Sequence, residues 1–395
     1  MTIRTELDLT DATSFARNDV HEFWRDVRKS RPVYWHDGDP GFWVVARHAD
    51  VLACYADARG LSSARGTVLD VLLSGGDSAG GKMLAVTDRP RHRELRTLML
   101  RAFSPRVLGA VEDRVRERTS RLVRSFTGKG EFDFAAEIAD HIPMNTIGDL
   151  LSIPEADREK LLRWNKLALS SADETADRLD SLEARNEIVG YFMDLVRYRR
   201  DHPGDDVVSM IATAEAGDGP LTLEEAALNC YSLVLGGDES SRVSAICAVK
   251  TLAEHPAQWR ALRDGSAGVD SAVEEVLRWA TPAMHFARTA VQDREIGGRR
   301  VRAGDIVTLW NTSANNDEEV FDRPRRFDLT RSPNKHVSLG HGPHFCVGAF
   351  LGRAELRALL NALTESVTGI EVCGRPGPIY SNFLNGYDSL PVAFH

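Results

Sequence analysis

Cysteine is scarce and scattered in this chain: five in 395 residues, at positions 54, 230, 247, 346 and 373, with no Cys-x-x-Cys pair. An odd, widely spaced set excludes a disulfide framework and a cysteine zinc site, and it suits a reducing compartment, the cytoplasm. Long apolar runs are missing as well. No stretch reaches the ~18 uninterrupted apolar residues of a membrane span. The N-terminus carries Arg4, Glu6, Asp8, Asp11, Arg17 and Asp19 where a signal peptide would need an apolar core. Positive charge is in deficit: 49 Lys and Arg against 58 Asp and Glu give a net charge of −9, which leaves no general basic footprint for nucleic acid. Internal repeats, low-complexity tracts and Pro/Ser-rich linkers are also absent. What remains, 43% apolar and 27% charged residues, is an ordinary globular composition with enough apolar material for a large core. Length alone would allow two or three average domains.

Helical periodicity dominates what is present. It predicts helices over 19–30, 105–126, 155–170, 180–200 and 349–363. The longest candidate runs from 222 to about 255, with a capping box at Thr222-x-x-Glu225 and a stop at Pro256. At 1.5 Å per residue it would be about 50 Å long. Gly236-Gly237 near its middle costs about 1 kcal/mol per glycine relative to alanine, so the helix has a use for the gap. Strand signals are few: a hairpin from 32–35 and 41–46, then 285–290, 295–301 and 306–310, punctuated by Gly297-Gly298 and Ala303-Gly304-Asp305. The glycine-rich loop 60–86 has an apolar centre at 68–73, and an ordered loop of that length is more often functional than accidental.

One cysteine stands in a setting with chemical content. Ser338-Leu339-Gly340-His341-Gly342-Pro343-His344-Phe345-Cys346-Val347-Gly348 places Cys346 in a glycine-punctuated loop directly ahead of a helical run. A thiolate needs positive charge or N–H donors to stay ionised, and a helix N-terminus supplies donors. The glycines let the backbone approach something flat and bulky, while His344 and Arg353 add polar groups. A thiolate held this way suits an axial ligand to haem iron, where it favours O–O cleavage. Taken alone, such a cysteine is more often a small buried hydrophobe. Other segments reverse that balance.

The loop resembles the haem-binding segment of the cytochrome P450 superfamily, Phe-x-x-Gly-x-x-x-Cys-x-Gly: Gly342, Cys346 and Gly348 match, and Leu339 stands where the family has Phe. Gly236-Gly237-Asp238-Glu239-Ser240-Ser241 is similar to the family's central-helix segment, Ala/Gly-Gly-x-Asp/Glu-Thr-Thr/Ser. The resemblance implies a notch at Gly237 that leaves room for O2, with Glu239 and Ser240 guiding protons to it. Ser240 keeps the hydroxyl of the usual Thr but loses the methyl that restricts its rotamer, so looser coupling of electrons to product is expected. The structural alternative is a kinked helix whose Ser bonds back to the preceding turn. Glu275-x-x-Arg278 and Pro324-Arg325-Arg326-Phe327 resemble two further family motifs in the family's order. They imply a buried network of Glu275, Arg278 and Arg326 that fixes the Cys loop, and loss of one partner should cost about 3–5 kcal/mol. His92 and Arg96, one helical turn apart, match the family's propionate partners together with Arg288 and His344. Haem brings two carboxylates that must meet donors or cations. Arg91 and Arg93 are expected on a solvated basic face, where with Arg101 and Arg106 they would dock an acidic ferredoxin.

These matches span roughly 88–357 and imply one haem-thiolate monooxygenase domain over 1–395, mainly α with a small β-region, in the triangular-prism fold of soluble bacterial members. The implied activity is insertion of one oxygen atom from O2 into an organic substrate. Haem b is the cofactor, and NAD(P)H electrons arrive through ferredoxin reductase and ferredoxin. No dinucleotide or flavin fingerprint of a fused reductase occurs. By resemblance the pocket is lined by Val68, Leu69, Leu72, Leu233, Gly237, Ala283, Met284, Phe286, Phe383 and Leu384, with His285 its one polar candidate. The lining reads as apolar, and resemblance to compact, anchorless relatives implies tailoring of a natural product or antibiotic, an aromatic, polyketide or peptide intermediate that is free or carrier-bound. Alternatives are a peroxide-driven haem-thiolate enzyme, an oxidative-coupling catalyst on a carrier-bound substrate, and, in another class, a non-catalytic haem sensor or carrier. The acid and hydroxyl at 239 and 240 argue against the peroxide enzyme and the sensor. The chain is expected to act as a monomer, with neither membrane nor nucleic acid as a partner.

Overall fold

Short β-branched and aromatic runs bounded by turn residues pair as the sequence predicts. β1 (Val33–His36) and β2 (Phe42–Val45) form an antiparallel hairpin. β3 (Leu61–Ser62), β4 (His285–Ala290) and β5 (Ile306–Trp310) complete a five-stranded sheet in the order β1-β2-β5-β4-β3. β5 pairs parallel to β2, with Val307 opposite Trp43, and antiparallel to β4, with Val307 opposite Arg288. It is buried along its whole length, which is why it reads as a continuous apolar run. The segment predicted at 295–301 is a separate small hairpin, Arg294–Ile296 with Arg299–Val301, turned by Gly297 and Gly298. The computed structural model describes residues 7–17, 19–169, 178–217 and 219–395.

The rest is chiefly helical: α1 (Arg91–Ala102), α2 (Pro105–Phe126), α3 (His141–Leu150), α4 (Glu155–Leu169), α5 (Arg178–Asp201), α6 (Leu223–Gly237), α7 (Glu239–Glu254), α8 (Val269–Ala280) and α9 (Ala349–Ser366). α9 lies along α2, and α5 packs between α4 and α6. One apolar cluster joins Leu95 and Met99 of α1 to Leu161, Ile188, Phe192 and Val234. A second joins Val249 and Leu252 of α7 to Val276, Leu359, Leu363 and Phe394. The helix predicted at 19–30 starts two residues later, at His21, because the Asp19 carboxylate accepts the His21 N–H at 3.0 Å. Ser170, the predicted end of the 155–170 helix, lies outside the described residues. Among the described residues no helix is long and apolar enough to cross a membrane.

Two expectations change. The single helix over 222–255 is two helices. The capping box is made as read, Glu225 N–H to Thr222 Oγ1 at 3.1 Å and Thr222 N–H to Glu225 Oε2 at 2.9 Å. The helix then breaks at Asp238 (φ −81°, ψ −72°) between α6 and α7. Adjacent glycines weaken the ladder there, and a Cβ on Gly237 would lie 2.6 Å from Ile147 Cδ1 of α3. The apolar centre of the 60–86 loop is a short helix, Leu69–Leu73, rather than open loop. Leu69, Leu72 and Met284 are packed in the core with Trp24 and Trp310.

Candidate functional site

Cys346 follows a single turn of 3-10 helix, Gly342–His344, and precedes α9. The turn depends on Gly342, which sits at φ +70°, where a Cβ would lie 2.7 Å from Tyr55 O. Cys346 N–H donates to Leu339 O at 2.9 Å and closes the loop. Burial pushes the thiol up, while the Gly348 N–H, Arg96 and Arg353 pull it down without fully offsetting burial. A coordinated metal cation would finish the ionisation.

Beside the loop stand the cofactor-binding candidates. The His92 and His344 rings lie 4.1 Å apart. Burial, and then the positive charges of Arg96 and Arg89, lowers His92 to about 4. Burial and Arg288 lower His344 to about 3. Both imidazoles are therefore neutral. His92 Nε2 is buried with no hydrogen-bond partner. Arg288, on β4, is buried, and its one side-chain bond runs to Ala287 O at 2.9 Å. Among the described residues, neither Arg288 nor Arg96 makes an ion pair with a carboxylate. Two guanidinium groups and an imidazole nitrogen without a hydrogen bond thus gather near a single carboxylate among the described residues, Asp88, which is itself bonded to Ser62 and Ser63, and an anionic ligand would balance the excess positive charge. A group carrying two carboxylates beside a metal facing Cys346 fits this donor set, as haem does.

The loop is anchored from α8. Glu275 and Arg278 are fully buried and bidentate, with Nε–Oε2 and Nη2–Oε1 both 2.8 Å. Arg278 Nη1 donates to Asn315 O and Pro324 O. The third partner is Arg331, whose Nε lies 3.1 Å from Glu275 Oε2, and Asn334 Nδ2 adds a bond at 3.0 Å. Arg326, expected there, is exposed and contributes only its carbonyl, to Arg331 Nη2. Reasoning from sequence also missed Glu274. It takes Arg353 Nε at 2.6 Å and His336 Nε2 at 3.1 Å, tying α8 to α9 and the loop. Burial opposes its ionisation, but Arg353 and His336 together hold its carboxyl down to about 2.

At the helix break, Ser240 Oγ donates to Gly236 O at 3.0 Å. The back-bonded serine of the structural alternative is present. Its oxygen still has lone pairs to accept a further proton. Glu239 is buried, with Oε2 3.3 Å from Arg242 Nη1 and Oε1 unpartnered. The gap assigned to Gly237 lies one residue earlier: Gly236 is exposed and nothing stands within 4 Å of where its Cβ would be. Glu355 of α9, also unforeseen, is buried nearby. Burial raises its carboxyl to about 7 despite bonds with Ser241 and Thr146.

Among the pocket candidates Val68, Phe286 and Phe383 are half-buried, and the two rings meet edge-on at 5.7 Å. Leu233, Ala283 and Leu384 are buried behind them, with Ala283 and Leu384 joined by a β-bridge. His285 is fully buried against Trp310 and Phe383 and is lowered to about 3 by burial, so it presents no charge. On the basic face Arg93 and Arg101 are exposed. Arg91 is instead engaged by Glu225 at 2.5 Å and Glu94 at 3.1 Å. The Arg106 side chain lies outside the described residues.

Comparison with known proteins follows the same line. A family model described as cytochrome P450 matches residues 269–366. Cytochrome P450 NovI of Streptomyces niveus is 42% identical over 392 residues, covering 98% of this chain and 96% of that protein. The crystal structure of P450 OxyD, which is involved in the biosynthesis of vancomycin-type antibiotics, has a TM-score of 0.89 at 34% identity, over 98% of this chain and 99% of its own. P450BioI, solved with an acyl carrier protein ligated to hexadec-9Z-enoic acid, has a TM-score of 0.85 at 30% identity, over 95% and 99%.

Proposed function

The chain belongs to the cytochrome P450 family as a haem-thiolate monooxygenase, and from that premise we propose that it oxidises an intermediate of natural-product biosynthesis in a tailoring step, as a monomeric unit formed by residues 1–395. Cys346 would hold the iron, and His92, Arg96, Arg288 and His344 the propionates. When bound, haem would supply the chemistry of O2 activation, and the Cys346 thiolate holding it would favour O–O cleavage. Glu239 and Ser240 move protons: Glu239 gives its proton to Ser240 Oγ as the hydroxyl passes its own onward. Arg242 at 3.3 Å then stabilises the resulting carboxylate. Substrate would lie over Gly236, against Val68, Phe286 and Phe383, whose apolar surfaces exclude water from the transfer. Electrons would come from NAD(P)H through a reductase and an acidic ferredoxin at the face bearing Arg93 and Arg101.

The observation that carries this is the cradle of Arg96, Arg288 and His92 Nε2 beside Cys346, in which, among the described residues, neither arginine makes an ion pair and His92 Nε2 has no hydrogen bond. The OxyD likeness supports a biosynthetic role. The P450BioI likeness supports a second reading, in which the substrate is tethered to a carrier protein. Two measurements test the proposal. A reduced, carbon monoxide-treated holoenzyme should give the thiolate-ligated Soret band, and Cys346→Ala should abolish it. Persistence of the band in the variant would remove the assignment. A screen of aromatic, polyketide and peptide intermediates, free and as carrier thioesters, should then find a ferric spin-state shift. A response confined to the thioesters selects the tethered reading.

A further inference from the structure

Four carboxyl groups, Asp140, Asp238, Glu239 and Asp388, meet two cations, Lys166 and Arg242, around the break between α6 and α7. Asp140 takes Arg242 Nε and Lys166 Nζ, each at 2.5 Å. Asp388, on the strand Tyr387–Ser389 and 30% exposed, takes Arg242 Nη2. Two carboxylates thereby balance two cations. Asp238 and Glu239 are left over, both 0% exposed. A buried carboxyl without a compensating charge keeps its proton. Burial, and for Asp238 the neighbouring Glu239, raises both carboxyls.

The two differ in what they can do next. Glu239 has Arg242 beside it and can be stabilised as the anion. Among the described residues no cation is in contact with Asp238. Its partner is the Asn165 amide of α4, whose Nδ2 donates to Asp238 Oδ2 at 2.7 Å. Asp238 Oδ1 and Asn165 Oδ1 are both buried and lack any donor. A carboxylate oxygen and an amide oxygen can only accept. One proton on Asp238 converts an acceptor into a donor and so answers the shortage of donors in this pair.

We propose that Asp238 is a resident neutral acid, held by Asn165, which replaces the proton that Glu239 passes to Ser240. This rests on the proton role given above to residues 239 and 240. After Glu239 has lost its O–H, the Asp238 O–H breaks and the Glu239 O–H re-forms. Solvent at the Lys166 edge, whose side chain is 31% exposed, returns a proton to Asp238. The groups acting on Asp238 are Glu239 and Arg242 from α7, Asn165 from α4 and Asp140 ahead of α3, while Lys166 and Asp388 act on Glu239.

Infrared difference spectroscopy of the holoenzyme at neutral pH tests the proton directly. Wild type minus Asp238→Asn should leave one protonated-carboxyl band that shifts in heavy water, and absence of that band overturns the proposal. Asp238→Asn keeps shape and hydrogen bonding but has no proton to give. It should slow product formation at least about tenfold, less than the ~100–10,000-fold of a direct general acid because Glu239 still delivers the proton. It should also enlarge the solvent isotope effect, with haem content and substrate spin shift retained; wild-type rates and isotope effect overturn the proposal. Should that variant fail to load haem, Asn165→Ala replaces it: the carboxyl band moves if Asn165 holds the proton, and an unmoved band overturns the idea. Ser240→Ala separates the two levels. An unchanged product-to-NAD(P)H ratio there removes the relay itself. A changed ratio beside wild-type behaviour in Asp238→Asn removes only the reserve.

Discussion

Ser240 shows how one side chain answers to two expectations at once. Its hydroxyl donates to Gly236 O, as in a back-bonded helical serine, while its lone pairs can still accept, which the proposed transfer from Glu239 requires. Ser240→Ala is expected to lower the product formed per NAD(P)H severalfold and raise peroxide release, measured by comparing cofactor consumption with both products. Glu355 makes a different prediction. Its carboxyl lies at about 7 in the fold against an ordinary 4.5. The folded state therefore binds the proton more tightly than the unfolded state does. Wild-type stability should fall as pH rises from about 4.5 to about 7, by on the order of 3 kcal/mol, and level off above. Glu355→Gln should flatten that slope in denaturant melts. Family motifs singled out Cys346, His92, Arg96, Arg288 and His344 as candidates, and the fold brings the His92 and His344 rings within 4.1 Å of each other. Asp238 was only the unassigned position of its motif, because its partner Asn165 lies on another helix. Leu69, Leu72 and Met284 are packed with Trp24 and Trp310, and apolar character in the sequence does not distinguish a pocket wall from the core behind it.

For whole elements, α8 does more to hold the Cys loop than its four-residue motif implies. Glu275 gathers Arg278, Arg331 and Asn334, while Glu274, one residue earlier, gathers Arg353 and His336. Adjacent helical residues point about 100° apart, so one turn anchors the loop from two sides. Arg331→Ala should leave Glu275 held by Arg278 and Asn334 but without its second cation, and cost about 2 kcal/mol, the loss of one charge-assisted hydrogen bond, with weaker haem retention on purification. Arg326→Ala should stay within about 0.5 kcal/mol, as an exposed change. Thermal melts of the pair check the reassignment. The segment 322–334 is irregular, with Arg323 at φ +43°, so no periodicity in the sequence says which arginine turns inward. The division of the long helix was only half legible for a similar reason. Two glycines announced a weakness, but the contact that makes Gly237 necessary comes from Ile147 on α3.

Across the molecule, charge and topology set two further behaviours. Arg101 is exposed on the basic face, whereas Arg91 is already neutralised by Glu225 and Glu94. Arg101→Glu should slow reduction by ferredoxin severalfold and weaken its dependence on ionic strength in stopped-flow measurements. Unchanged kinetics would move the docking face elsewhere. The mainly helical class and the small sheet were legible because periodicity and turn residues are local. The order β1-β2-β5-β4-β3 was not, because Trp43 finds Val307 across more than half the chain. That distance has a cost at the ribosome. At ~5–20 residues per second, the N-terminal hairpin waits on the order of tens of seconds for the strand that completes its edge. Two strands alone are marginal in water, and an open edge invites the wrong neighbour. Nascent chains should therefore depend on chaperones until residue 310 has emerged, and fragments ending earlier should aggregate rather than fold.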